Sequence, residues 1–189
     1  MRDQEPYQLN DPFIREFIFD EEQQETLLEK LKEKEPEMQR AGVYNSERGS
    51  FTSEIRTCDH IPFDYLEFPD ISLELGDLAL ELRPQLTELL FRQYEFIRYE
   101  GNSGQTFKAH TDDNEEASGH GRFLTSVTMV DKSEDMRGGL LKVWTPDGRE
   151  FIVDLDPFET IIFPAYYWHE ATPVLNGRRV VLISWAERK

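Results

Sequence analysis

Six short runs rich in Val, Ile, Phe, Tyr and Trp crowd the C-terminal half of this 189-residue chain. They are QYEFIRY (93–99), FLTSVTMV (123–130), GLLKVWT (139–145), REFIVDL (149–155), TIIFPAYYW (160–168) and RRVVLISWA (178–186). Their β-branched and aromatic content is that of strands on a half-buried sheet. Turn chemistry parts them at Glu100-Gly101, Gly138-Gly139, Pro146-Asp147-Gly148 and Asn176-Gly177. No helical period runs through the region, so the pattern predicts an antiparallel sandwich or jelly roll.

The first half has a different texture. Residues 20–34 read as a helix, with Asp20 as N-cap, Glu21 and Glu22 at the positive end of the dipole, Leu27, Leu28 and Leu31 as the apolar stripe, and Pro36 as the stop. A second helical pattern covers 72–92 through Leu75, Leu78, Leu82, Leu86, Leu89 and Leu90, with Pro84 expected to kink or split it. Residues 45–63 between them lack a clear period and suit a mobile loop or a loose hairpin, read as a surface connection or as a substrate lid. The expected organisation is mainly β with flanking α, in one domain over 1–189. Residues 1–92 form a helical buttress with the candidate lid at 45–63, and 93–187 form the β core.

Composition narrows the function. A formal charge of −17 and a pI near 4.6 exclude non-specific binding to phosphate backbones. The first 100 residues carry 24 acidic and 11 basic side chains, and the remainder 14 and 10, so the acidity sits mostly in the helical half. No run has the length of a membrane span, and MRDQEPYQLN has no signal-peptide character. The expectation is therefore a soluble cytoplasmic protein without a membrane partner. Cys58 is the only cysteine, which excludes an internal disulfide and a cysteine-based metal site.

Histidine is scarce: His60, His110, His120 and His169 are the full set. In FKAHTDD, His110 and Asp112 stand at i and i+2, which strand alternation turns to one face. His169 follows another aromatic strand. Two histidines and a carboxylate on a β-scaffold suit an octahedral iron(II) with open positions, whereas zinc favours a closed tetrahedral set. Asp113 is the alternative carboxylate, though alternation turns it away. Arg178 and Arg179 open the last apolar strand, and an inward arginine there needs an anionic partner for its planar fork. His60 and His120 read as surface or loop residues and Trp185 as core. Trp144 and one of Tyr166, Tyr167 and Trp168 are candidates for packing or for lining a cleft.

The order of these features resembles the iron(II)/2-oxoglutarate-dependent dioxygenases, within them the prolyl-4-hydroxylase-like group. The resemblance covers roughly 93–187. It rests on Tyr99 before the loop YEGNSGQTF, His110-x-Asp112, Arg122-Phe-Leu-Thr125, Gly138-Gly139-Leu140, FPAYYW before His169, and HEATPVLNGRR leading to Trp185. It implies a double-stranded β-helix fold with His110, Asp112 and His169 as iron ligands. Arg179 would be the partner of the 2-oxoglutarate C5 carboxylate, with Arg178 as the alternate, and Tyr99 and Thr125 would be hydrogen-bonding neighbours of that carboxylate. Many relatives carry a tyrosine four residues after the threonine; here it is Met129, and the pocket loses a hydroxyl. The implied reaction is hydroxylation of an unactivated C–H with iron(II), 2-oxoglutarate and O2, giving succinate and CO2. A carboxylate at 112 favours hydroxylation, since related halogenases have a small residue there. The implied partner is a prolyl residue in a peptide or protein, or else a free amino acid or small metabolite. The oligomeric state is open. A cupin-like metal enzyme without 2-oxoglutarate is the competing class, and a non-catalytic jelly-roll module is a third.

Overall fold

The computed structural model describes residues 13–45, 49–52, 54–82, 91–113 and 121–187. In chain order, the first elements are β1 (Ile14–Glu16), α1 (Glu21–Lys34), β2 (Gln39–Arg40), β3 (Gly42–Asn45), β4 (Gly49–Thr52), β5 (Asp59–Asp64) and α2 (Pro69–Leu82). There follow β6 (Phe91–Glu100), β7 (Phe107–His110), β8 (Arg122–Lys132), β9 (Arg137–Gly138), β10 (Leu141–Trp144) and β11 (Glu150–Val153). The last are β12 (Thr160–Pro164), β13 (Trp168–Ala171), β14 (Val174–Asn176) and β15 (Arg178–Glu187).

Local chemistry sets α1. Asp20 accepts from the backbone of Gln23, and the Gln23 side chain accepts from the backbone of Asp20, a complete capping box. Lys32 and Lys34 complement the dipole at the other end. Helix α2 spans Pro69–Leu82. The sequence pattern ran to 92, but Phe91 and Arg92 belong to β6, where Phe91 is fully buried and pairs with Ala186. Tertiary burial there overrides the leucine period. Pro84 and His120 lie outside the described residues.

Two antiparallel sheets face each other. The larger has the order β1-β12-β8-β15-β6-β5-β2, and the smaller β11-β10-β13-β7. Alternation divides the large sheet cleanly. Tyr94, Phe96, Leu124, Val180 and Leu182 meet Leu27 and Leu31 of α1 and Ile71 and Leu75 of α2. Ile97, Tyr99, Val127, Met129 and Val181 meet Leu141, Val143 and Val153 across the sandwich. The result is a jelly roll with its helices on one outer face.

Residues 1–92 are not purely helical. Strands β1, β2 and β5 join the large sheet, and β3 pairs with β4 in a hairpin. The polar, proline-bearing DHIPFD of β5 has no alternation to read, and its place is fixed by pairing with β6. TIIFPAYYW is also not one strand. Pro164 ends β12 in the large sheet, a turn through Tyr167 follows, and β13 starts in the small sheet.

Candidate active site

Strand β13 lies beside β7 so that His169 stands directly opposite His110. The two rings are 4.2 Å apart between centroids. Each ring is fixed from behind. Nδ1 of His110 lies 2.7 Å from the Lys108 carbonyl oxygen, and Nδ1 of His169 lies 3.0 Å from that of Tyr167. A carbonyl only accepts, so Nδ1 is the protonated nitrogen of each ring and each Nε2 presents its lone pair. Phe107 stacks on His110 at 3.6 Å and Phe163 meets His169 edge-on.

Asp112 completes the cluster, although not by strand alternation. Strand β7 ends at His110, and Asp112 sits in the bend beyond, held by its backbone N–H to the Ala165 carbonyl. Its Oδ1 is 3.6 Å from Nε2 of His110 and its Oδ2 is 3.4 Å from Nε2 of His169. The ligand atoms of the three residues all fall within 4.8 Å of one another. Asp113 is exposed and outside this cluster.

Two further groups orient the carboxylate: the Thr125 hydroxyl donates to Oδ2 at 2.8 Å, and the Trp185 indole N–H donates to the same oxygen at 2.9 Å. Burial pushes the Asp112 carboxyl up, but the two histidines and the Trp185 donor outweigh it and hold the group well below the usual carboxylate range. Burial and the neighbouring His169 pull His110 down to about 3. For His169, attraction to Asp112 overcomes burial and the shift is upward. The donor set is thus a buried carboxylate beside two imidazole Nε2 atoms, which fits a divalent ion that displaces any proton shared between His169 and Asp112.

The cluster opens on a cavity of about 670 Å³. Along β15, alternate residues Arg179, Val181, Ile183 and Trp185 line it. Arg179 is buried, with its guanidinium 4.7 Å from the centre of the Tyr99 ring, its cross-strand neighbour. Its Nη1 donates to the Gly139 carbonyl, while its Nε has no partner. Gly138 and Gly139 deliver that carbonyl from left-handed backbone, and a Cβ on Gly138 would meet the Pro173 oxygen at 2.2 Å. A buried cation whose partners are one backbone oxygen and the ring and hydroxyl of Tyr99, all neutral, fits a carboxylate ligand such as the far end of 2-oxoglutarate. Burial raises the Tyr99 phenol and Arg179 pulls it back only in part.

Arg178 points to the opposite face and ion-pairs with Asp131 at 2.6 Å and Glu35 at 2.9 Å, which leaves Arg179 as the inward arginine. Thr125 requires a correction. It pairs with Trp185 on β15, six residues from Arg179, or roughly 20 Å along the strand. Its hydroxyl serves Asp112, not the carboxylate partner of Arg179. Met129 packs between the sheets. Trp185 is more than core, since it both lines the cavity and holds Asp112; the alternation that turns Arg179 inward also turns Trp185 inward.

Other cavity residues carried no motif. Arg56 and Glu95 form an ion pair at 2.6 Å, with His60 at 3.4 Å from the same carboxylate. Burial raises Glu95, but Arg56 and His60 outweigh it and lower it to about 2. Glu95 shares a strand face with Ile97 and Tyr99, a signal the sequence did hold. Arg122 lies over the Trp185 ring at 3.6 Å. Trp168 lines the cavity opposite Trp144 in the small sheet. Cys58 is fully buried and burial raises its thiol, so it is no nucleophile.

A jelly roll with two histidines and a carboxylate gathered at a cavity has the architecture of a two-histidine–carboxylate metal site. The sequence narrows this. Residues 94–187 match the 2OG-Fe(II) oxygenase superfamily, and the chain belongs to that superfamily. A PKHD-type hydroxylase of Phenylobacterium zucineum is 34% identical over 97 residues, 49% of this chain and 41% of that protein. Another, of Cupriavidus pinatubonensis, is 29% identical over 133 residues, 60% of this chain and 57% of that protein. The chain thus spans about half the length of these relatives. A Pseudomonas putida prolyl-4-hydroxylase shares the fold at a TM-score of 0.72 with 17% identity, over 95% of this chain and 94% of that one. A Trichoplax adhaerens prolyl hydroxylase, solved with a hypoxia inducible factor oxygen degradation domain peptide fragment, aligns at 0.73 with 16% identity, over 94% and 84%. Among the described residues no helix is long and apolar enough to cross a membrane.

Proposed function

We propose that the protein is an iron(II)- and 2-oxoglutarate-dependent hydroxylase of an unactivated C–H. The observation that carries the reading is the placement of one buried, incompletely paired arginine and one two-histidine–carboxylate cluster in the same cavity. His110, Asp112 and His169 hold the metal through Nε2, a carboxylate oxygen and Nε2. Arg179, with Tyr99 beside it, receives the C5 carboxylate. Iron(II) with 2-oxoglutarate and O2 supplies the oxidising power, one oxygen atom entering the substrate C–H and the other succinate, with loss of CO2. The protein excludes water with the apolar stripe Val181, Ile183 and Val127, and holds its ligands rigid through Thr125, Trp185 and the two backbone carbonyls. A cupin-like enzyme without 2-oxoglutarate has no use for Arg179.

A prolyl residue in a peptide or protein is the substrate that the prolyl hydroxylase neighbours support, and a free amino acid or small metabolite is the alternative. Gly42, Val43, Ile55 and Arg56 on the cavity rim support a substrate-covering role for the β3–β4 hairpin and the residues after it. Anaerobic titration with iron(II) and then 2-oxoglutarate should develop a metal-to-ligand charge-transfer band. His110→Ala should lose the band and succinate formation; Arg179→Ala should keep metal binding and raise the 2-oxoglutarate requirement by about a hundredfold. Succinate release by His110→Ala, or an unchanged 2-oxoglutarate requirement in Arg179→Ala, would sink the assignment.

A further inference from the structure

The mouth of the cavity continues onto an apolar strip that the iron and 2-oxoglutarate assignment does not employ. Trp168 opens β13 beside His169 and lines the cavity, yet it is 56% exposed. It pairs in register with Trp144 of β10. Alternation turns His169 and Val143 inward and both tryptophans to the outer face of the small sheet. Ile152 of β11, 58% exposed, shares that face and lies diagonal to Trp144 across the β10–β11 pair. Trp144 is held in place, since its indole N–H donates to Glu150 at 2.8 Å and Lys142 lies 5.9 Å from the centre of its ring. Beyond β7, Ile55 also lines the cavity and is 46% exposed.

Large apolar side chains gathered round one opening gain by being covered. A molecule held wholly within the cavity covers none of the strip. A chain that sends one residue into the cavity and runs on over the sheet covers it. From β13 to β11 the strip crosses two strand spacings, roughly 10 Å. That is the length of about three residues in an extended or polyproline II chain. Indole faces suit the proline rings and aliphatic side chains of such a chain, which loses little conformational freedom on docking. Trp168 belongs to both cavity and strip, so whatever lies on the strip is continuous with what enters the cavity.

We infer that the substrate is a polypeptide segment, and that the apolar residues to one side of its target residue dock on Trp168, Trp144 and Ile152. This deepens the hydroxylase reading and rests on it. The three side chains set specificity through the flank of the substrate and do not touch the reacting C–H. A free amino acid or small metabolite makes no use of them.

The test uses the full chain and peptides blocked at both ends. Each has a varied central residue, proline among them, with Leu-Pro-Leu or Gly-Ser-Gly on one side or both. Binding is read first, under nitrogen with iron(II) and 2-oxoglutarate, by the anisotropy of dye-labelled peptide. Succinate release then compares the peptides with free amino acids. At least one Leu-Pro-Leu peptide should bind at least about tenfold tighter than its Gly-Ser-Gly counterpart, with the same ratio in KM. Trp168→Ala should bring that ratio to about one, and Trp168→Phe should keep most of it. A purely structural role would weaken both peptides alike. Ile152→Ser, on the surface of an outer strand, should cut the ratio about threefold even if Trp168→Ala folds poorly. Equal binding of the two peptide kinds, no peptide binding, a free amino acid that outdoes every peptide, or a ratio unchanged in the variants would overturn the inference. Failure of the hydroxylase reading has a different signature: no charge-transfer band with iron(II) and 2-oxoglutarate, and no succinate under any condition.

Discussion

The fitness of the His110–Asp112–His169 cluster for a metal depends on residues outside it. The carbonyls of Lys108 and Tyr167 decide which nitrogen of each imidazole carries the proton. Thr125 and Trp185 decide where the Asp112 carboxylate points. Removing an oriented donor of this kind weakens metal affinity by about 10- to 100-fold. Trp185→Phe keeps the ring under Arg122 and deletes only the N–H. It should lower iron(II) affinity by about tenfold in an anaerobic metal titration, with a near-normal thermal midpoint. An unaltered affinity would show that Thr125 alone suffices. The motif H-x-D was readable without any of this. What the sequence did not disclose was that Asp112 reaches the site through a bend anchored on Ala165.

At the level of elements, strand alternation served well where strands are long. On β15 it separates Arg178 from Arg179, and on β6 it sets Glu95, Ile97 and Tyr99 on the cavity face. It failed at TIIFPAYYW, where Pro164 and the turn at Tyr167 send the chain from one sheet to the other. In residues 45–63 it left a loop or a loose hairpin as the reading; the hairpin pairs β3 with β4, but the inner strand β5 of the large sheet was not legible. The Arg56–Glu95 pair fastens the segment after β4 to β6, and Arg56 also lies over Phe107 at 5.0 Å. The Glu95 carboxyl ionises near pH 2 in the fold, below its unfolded value of about 4.3. Its contribution is therefore present above about pH 4 and is lost as pH falls through about 2. Glu95→Gln should destabilise the protein by about 3 kcal/mol at pH 7 in denaturant unfolding, because it leaves Arg56 buried and unpaired. The gap to the parent protein should narrow below pH 4; a gap constant with pH would mean the carboxylate charge is not the source.

Across the whole molecule, scaffold and site occupy opposite faces of one sheet. Leu75 and Leu27, both fully buried, tie the helices to the outer face, while the cavity lies on the inner one. Leu75→Ala should cost about 2–5 kcal/mol in denaturant unfolding. Iron(II) affinity should stay within a factor of about two below the unfolding transition, and a large loss would show that the helix layer sets the ligand geometry. The acidity follows the same division. Helix α1, on the outer face, takes Glu21, Glu22, Glu25 and Glu29, whereas the cavity holds Arg56, Arg122 and Arg179 against Glu95 and Asp112.

By itself the sequence determined the β-rich jelly roll and the helix α1 with its cap, and it named His110, Asp112, His169 and Arg179 as the candidate site. The elements are written in local periods, because backbone pleat and helix pitch act over a few residues, while the candidate residues are written in the order of motifs along the chain. Only the tertiary structure decided that Thr125 and Trp185 serve Asp112, that Arg56 pairs with Glu95, and that Arg122 stands over Trp185. It also placed the N-terminal strands in the large sheet. Those contacts join residues 13 to 148 positions apart, and no local period carries information about which side chains meet across a sandwich.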